Sequence, residues 1–305
     1  KQIESGVSLR RMATEYGIFP KAVKPLRSVS ASLVGAGNPL WEDRQTRSDW
    51  AEGISVKPFS EGMDVLYFPG CYLSYDPRLK KVARATATIL NQAGIDFGIL
   101  GTKENCCGES IRKTGDEALF KRLAKENIKT FVDNGVKKIL VSSPHCYHTF
   151  KNEYPEFLVN FEVVHISQYL LTLIDEGRLE LTKGYDKKIT YHDPCQIARN
   201  GGVMDAPRYI LQHLTDDFRE LAPEPAYNWC CGGGGGLVAL GEDTLDFRMK
   251  SSRVKFDQVR GTGATILTTA CENCHTQLSN LNDHYKMEVD VTFLSSMVAD
   301  ALVPA

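Results

Sequence analysis

Val65-Leu66-Tyr67-Phe68-Pro69-Gly70-Cys71 recurs 124 residues later as Ile189-Thr190-Tyr191-His192-Asp193-Pro194-Cys195. Each copy is a short β-prone run that ends in a turn and a cysteine. The same offset of 124 relates Cys106-Cys107 to Cys230-Cys231, and an offset of 128 relates Cys146 to Cys274. The run Gly135-Val136-Lys137-Lys138-Ile139-Leu140-Val141 likewise matches Gly263-Ala264-Thr265-Ile266-Leu267-Thr268-Thr269. The chain is therefore an internal duplication, and each half is one structural unit.

Within the first half the pattern alternates. Residues 65–68 read as a strand, and Pro77 opens a helix that runs through Val82, Ala83, Ile89 and Leu90 to Gly94. Residues 95–100 read as a strand, 116–134 as a helix and 138–141 as a strand. Strand–helix alternation predicts an α/β fold with parallel sheets flanked by helices. Ligand sites in such sheets form beyond the carboxyl ends of the strands, where every cysteine falls. The expected divisions are 1–63, 64–186 and 187–305. In the first of these, residues 6–16 read as a helix. Residues 20–62 are rich in Pro, Gly, Ser and charge, and read as an extended arm or a linker.

Composition narrows the chemistry. The 305 residues are 42% hydrophobic and 24% charged with a net charge of −2, which suits a packed core and argues against nucleic acid as a partner. No apolar run is long enough to span a bilayer. No export signal is visible, and the first residue is Lys1, as in a fragment or a processed product. Nine cysteines without an export signal argue against a disulfide framework. Vicinal cysteines instead present two thiolates to one metal centre.

The second half carries Cys195, Cys230-Cys231 and Cys271-Glu272-Asn273-Cys274, five thiols from three loops. Gly232 and Gly233 open a run of five glycines whose backbone comes close to the sulfurs and offers N–H groups to negative charge. The first half carries Cys71, Cys106, Cys107 and Cys146, with Ser143 where Cys271 stands in the second. Four thiols suffice for either an iron–sulfur cluster or a zinc ion.

These two cysteine patterns resemble the CCG domain of heterodisulfide reductase catalytic subunits over about residues 64–303. The second copy has 34 residues between Cys195 and Cys230 and 39 between Cys231 and Cys271. The segments around His192–Cys195 and Trp229–Gly232 look most like the DsrK-type iron–sulfur subunits of membrane-bound complexes in sulfate reducers. The resemblance implies two tandem pseudo-repeated CCG domains and a noncubane [4Fe-4S] cluster on Cys195, Cys230, Cys231, Cys271 and Cys274. It implies disulfide or trisulfide chemistry, with a sulfur-carrier protein as a candidate substrate; the alternative is an electron relay in a cytochrome complex. Cytochrome or ferredoxin-like redox subunits would be its partners. They would hold the chain, without a membrane span of its own, on the cytoplasmic membrane face. Ser143 departs from the pattern and puts a second noncubane cluster in doubt.

Several residues are candidates around that site. His192 and His275 stand close to ligand cysteines and are expected to supply protons, and Arg199 to steady charge. Arg248, Lys250, Arg253 and Lys255 read mostly as a solvated helix face, like Arg112 and Lys113. His145 and His148 flank Cys146 and read as hydrogen-bonded loop residues. Trp229 is expected to shield the site or to sit in the core.

Overall fold

The computed structural model describes residues 2–18, 24–223 and 225–303. Its first sheet contains β1 (Lys57–Pro58), β2 (Val65–Phe68), β3 (Phe97–Ile99), β4 (Lys138–Val141) and β5 (Glu162–His165). The second contains β6 (Ile189–His192), β7 (Phe218–Arg219), β8 (Ile266–Thr269) and β9 (Asp290–Phe293). All pairings are parallel. The orders are β1-β3-β2-β4-β5 and β7-β6-β8-β9. Without β1 the two orders are the same, so the duplication read in the sequence is a duplication of topology.

Side chains on these buried strands alternate between two cores. Val65, Tyr67 and Leu140 point inward with Ile189, Tyr191 and Ile266, forming one continuous core that both sheets share. Helices Lys80–Gln92, Ile166–Asp175, Asp205–Leu214 and Leu294–Asp300 fill this layer between the sheets. Leu66, Phe68 and Ile139 point the other way, against Phe120, Leu123 and Phe131 of helix Glu117–Asp133. That helix starts where Asp116 accepts a bond from the Leu119 N–H, an N-cap that satisfies one of the free donors of its first turn. Leu267 of the second sheet meets Val259 and Leu278 in the equivalent outer layer.

The extended arm expected over 20–62 is corrected by the structure. Helix Lys24–Ala36 and a 3-10 helix at Arg44–Ala51 occupy much of it. Val29 and Leu33 are buried in the outer core of the first sheet. Trp50 is buried in the shared core, its ring edge-on to Tyr67 at 5.8 Å. Arg47 is buried too and pairs with Glu104 at 3.0 Å. The polar and glycine-rich composition suggested loop, but tertiary burial of a few apolar residues decides the conformation. Then β1 joins the sheet edge beside β3. The close approach requires Gly98, because a Cβ there would lie 2.4 Å from the Phe59 Cα.

His165 ends β5 and caps the next helix: its Nδ1 accepts from the Ser167 N–H at 3.2 Å, and its Nε2 donates to the Ser142 carbonyl at 3.2 Å. Burial pushes its pKa down to about 3.

Two measurements follow from this packing. Trp50→Ala is expected to lower unfolding stability by about 3–5 kcal/mol, the usual loss for a buried tryptophan. An unchanged urea midpoint would mean that the segment is a dispensable arm. The pH dependence comes from His165. Its folded pKa lies below the unfolded value, so its contribution is whole above about pH 6.5. It is lost as pH falls toward about 3, at up to ~1.4 kcal/mol per unit. The slope of urea stability between pH 7 and 5 should flatten in His165→Asn.

Candidate functional site

In both halves the chain leaves the central strand, visits one neighbour and crosses to the other side. The strand order therefore reverses between β2 and β4, and between β6 and β8, and at those points a crevice opens beyond the strand ends. Cys71 follows β2, Cys106 and Cys107 follow β3, and Cys146 follows β4. Cys195, the pair Cys230 and Cys231, and the pair Cys271 and Cys274 follow β6, β7 and β8 in the same way. None of the nine is in a disulfide.

The first four sulfurs converge. The Cys146 and Cys107 sulfurs are 3.4 Å apart, and the Cys71, Cys106 and Cys107 thiols bond in series. The loop is held from behind by Asn127 Nδ2 donating to the Cys106 carbonyl and Tyr154 Oη donating to the Cys107 carbonyl. Arg47 Nη1 approaches the Cys71 sulfur at 3.7 Å. All four cysteines are buried and line a small pocket together with Glu109, His145 and Glu272.

The five thiols of the second half form a longer series: Cys195 to Cys230, Cys230 to Cys231, Cys231 to Cys274 and Cys274 to Cys271. Backbone N–H groups point at the sulfurs: Gly232 at Cys230 (3.4 Å), Gly233 at Cys231 (3.4 Å) and Cys274 at Cys271 (3.4 Å). Gly232 has a φ of 87°, and a Cβ on it would collide with Ser252. Cys230 is exposed and Cys195 partly so, whereas the other three are buried. Bonds from Cys195 and Cys231 hold the Cys230 thiol well below the usual range. Burial alone would push Cys271 up, but bonds from Cys274 and His145 outweigh it and bring the thiol down to about 5.

Such a set of soft donors with N–H groups aimed at sulfur fits an iron–sulfur cluster. His192 adds to the fit. It is buried, neither ring nitrogen has a hydrogen-bond partner, and its ligand nitrogen and the Cys231 and Cys274 sulfurs all lie within 4.8 Å of one another.

Of the four basic residues read mostly as a solvated face, Lys255 is one that turns inward. It is buried, donates to Asn228 Oδ1 at 2.5 Å, and lies among Cys231, Cys274 and Cys230. Burial lowers its pKa to about 8. Arg248 is also buried, bonded to Gln277. Lys250 and Arg253 do stand in water, each in a helical pair with an aspartate. Arg112 is buried against Glu117, Glu153 and Glu156, and Lys113 pairs with Glu109. Arg199 donates to the Asn228 carbonyl at 2.6 Å, which braces the loop before Cys230. His275 lies against Phe293, and burial followed by the charge of Lys81 depresses its pKa. Trp229 is 52% exposed, so it is not a core residue. His148 faces Glu153, and burial takes its pKa down to about 4.

A polar seam joins the two halves. Ser143 Oγ donates to Glu272 Oε1 at 2.5 Å while it caps helix Pro144–His148. His145 bonds Glu109 through Nδ1 at 3.0 Å. Its Nε2 lies 3.1 Å from Asn273 Nδ2 and 3.7 Å from the Cys271 sulfur. Glu109 and Glu272 do not stand out in the sequence, although each sits within two residues of a cysteine.

Comparison with known proteins defines the class. The model of the CCG cysteine-rich domain matches residues 65–151 and again 189–279. The chain belongs to this family. It is similar to a component of the dihydromethanophenazine:CoB–CoM heterodisulfide reductase of Methanosarcina barkeri, with 36% identity over 95% of this chain and 72% of that one. It is also similar to the EtfAB:quinone oxidoreductase of Syntrophomonas wolfei, with 38% identity over 80% of this chain. A third relative, the "Probable iron-sulfur-binding oxidoreductase FadF" of Bacillus subtilis, is 34% identical over 92% of this chain. The chain spans 36% of the S. wolfei protein and 40% of the B. subtilis one. It is an iron–sulfur oxidoreductase subunit related to the heterodisulfide reductase component of M. barkeri. No helix among the described residues is long and apolar enough to cross a membrane.

The exposure pattern makes a prediction for metal-free protein. Brief iodoacetamide treatment followed by peptide mass mapping should find Cys230 alkylated first, since it has both thiolate character and access, and Cys195 next on access alone. Equal labelling of Cys71 or Cys274 at early times would contradict the arrangement.

Proposed function

We propose that the chain reduces, or oxidises, a disulfide or trisulfide at a noncubane [4Fe-4S] cluster held by Cys195, Cys230, Cys231, Cys271 and Cys274. The observation that carries this reading is the number of sulfurs. Five thiols form one series at the second site, and a cubane needs four. The partly exposed end of that series, Cys195 and Cys230, gives a substrate sulfur a way in. The similarity to a heterodisulfide reductase component supports the same chemistry.

The chain's own residues have separate tasks in this reading. Cys271 and Cys274 anchor the site at the start of helix Glu272–Tyr285, where the helix dipole favours negative sulfur. Gly232 and Gly233 direct N–H groups at the vicinal pair. Lys255 offsets the accumulated thiolate charge from the buried side. A bound cluster would supply electrons one at a time, so opening a disulfide to two thiols takes two deliveries and two protons. At the first site Cys71, Cys106, Cys107 and Cys146 would hold either a second cluster, which would supply a relay for those electrons, or a zinc ion, which would be structural. Redox partner subunits, cytochrome or ferredoxin-like, deliver the electrons and hold the chain on the cytoplasmic membrane face. A sulfur-carrier protein is the substrate that the DsrK-like segments favour.

A second reading has its own support. The EtfAB:quinone oxidoreductase relative is named for electron transfer without a sulfur substrate. In that case both sites relay electrons, and neither meets a disulfide.

The two readings separate in one experiment. Anaerobically prepared protein is analysed for iron, sulfide and zinc, then oxidised with and without added thiol and followed by electron paramagnetic resonance. Disulfide chemistry predicts a paramagnetic signal that depends on the thiol. A signal indifferent to thiol leaves the relay, and a zinc-only preparation removes both readings.

A further inference from the structure

We propose that His192 is a nitrogen ligand to iron at the second motif, so that the site offers one imidazole beside its five thiols. The inference rests on the iron–sulfur reading above and concerns a residue outside the cysteine pattern.

Three observations carry it. First, the imidazole is buried, and both ring nitrogens lack a hydrogen-bond partner. Leaving a buried polar atom unmet forfeits its hydration with nothing in return, so such atoms in folded proteins ordinarily have a partner. The other fully buried histidine, His165, has both nitrogens engaged with Ser142 and Ser167. His145, at the seam, likewise has both engaged. Second, His192 is aimed at the site: its ligand nitrogen and the Cys231 and Cys274 sulfurs lie within 4.8 Å of one another. Third, the fold does not need an imidazole at this place. The last residue of the equivalent strand in the first repeat is Phe68, packed edge-on to Phe150 at 4.9 Å. An apolar ring fills the position in the copy with four cysteines, and a nitrogen ligand stands there in the copy with five.

Neither nitrogen is engaged by the protein, so one is available to a metal. A neutral imidazole adds a donor without adding charge, whereas a further thiolate would add to the negative charge that opposes reduction.

The test uses iron-loaded protein produced with 14N- or 15N-histidine and examined by pulsed electron paramagnetic resonance in its paramagnetic state. Direct ligation predicts a strongly coupled histidine nitrogen whose frequencies change with the isotope. The coupling should persist in His145→Asn, which removes the other imidazole near a second-motif sulfur. It should vanish in His192→Phe. Iron present with no directly bonded nitrogen, or with coupling only as weak as a hydrogen bond gives, overturns the assignment to His192 and leaves the iron–sulfur reading intact. Coupling lost in His145→Asn overturns it too. A preparation that holds no iron overturns both. The isotope comparison in the unsubstituted protein decides the matter even if His192→Phe does not fold.

Discussion

The structure depends on bringing sulfur atoms from three successive strand ends to one point. A parallel sheet does this through its order of connection. The chain runs β2 to β3 on one side and then crosses to β4 on the other, so the loops after all three face a common crevice. Thiolates so close together repel one another. They stay together because the loops are fixed from behind by neutral donors such as Asn127 and Tyr154, and because N–H groups of Gly232, Gly233 and Cys274 face the sulfurs. The duplication repeats this solution with the same strand order, and the two sheets share one inner core. Neither half therefore has a complete core of its own.

The two sites differ in how their charge is balanced. In the first, the cation is Arg47, supplied from outside the repeat, and it is itself paired with Glu104. In the second, Lys255 comes from within the repeat and its hydrogen-bond acceptor is the neutral Asn228. One guanidinium is thus shared between a carboxylate and the sulfurs, while the ammonium faces sulfur without a carboxylate bonded to it. Buried charges in a low-dielectric interior act strongly on neighbouring redox groups. The same strand order thus holds two electrostatically distinct centres.

Much of this was legible in the sequence, for a physical reason. Parallel strands buried on both faces are short apolar runs, and β4 begins and ends where its pattern does, at Lys138 and Val141. Cysteine spacing is fixed by the strand–helix unit, so the repeat offset located both motifs. The segment before β2 was illegible because its burial comes from single residues, Arg47 and Trp50, set in polar text without period. Lys255 could not be picked out from its neighbours because helix Arg253–Thr262 turns some of its charged residues to water and one toward the sulfurs. Arg253 and Lys255 are two residues apart and cannot share a face. Composition alone does not reveal which one looks inward.

Ser143 shows how the loss of a ligand and the gain of a structural bond are one event. At the equivalent position of the second repeat, Cys271 caps its helix with sulfur and is one of the five thiols proposed to hold the cluster. Serine caps the equivalent helix with oxygen, a harder and less willing iron ligand, and uses its hydroxyl proton to bond Glu272 across the seam. Glu272 sits between Cys271 and Cys274 of the other motif, and His145, two residues after Ser143, reaches Cys271 and Asn273. The incomplete motif thus becomes the outer shell of the complete one. A cysteine at 143 would add a fifth sulfur to the first site and remove the hydroxyl bond to Glu272 across the seam. The two sites are therefore not independent copies. The degeneracy of the first is what places its side chains in the service of the second.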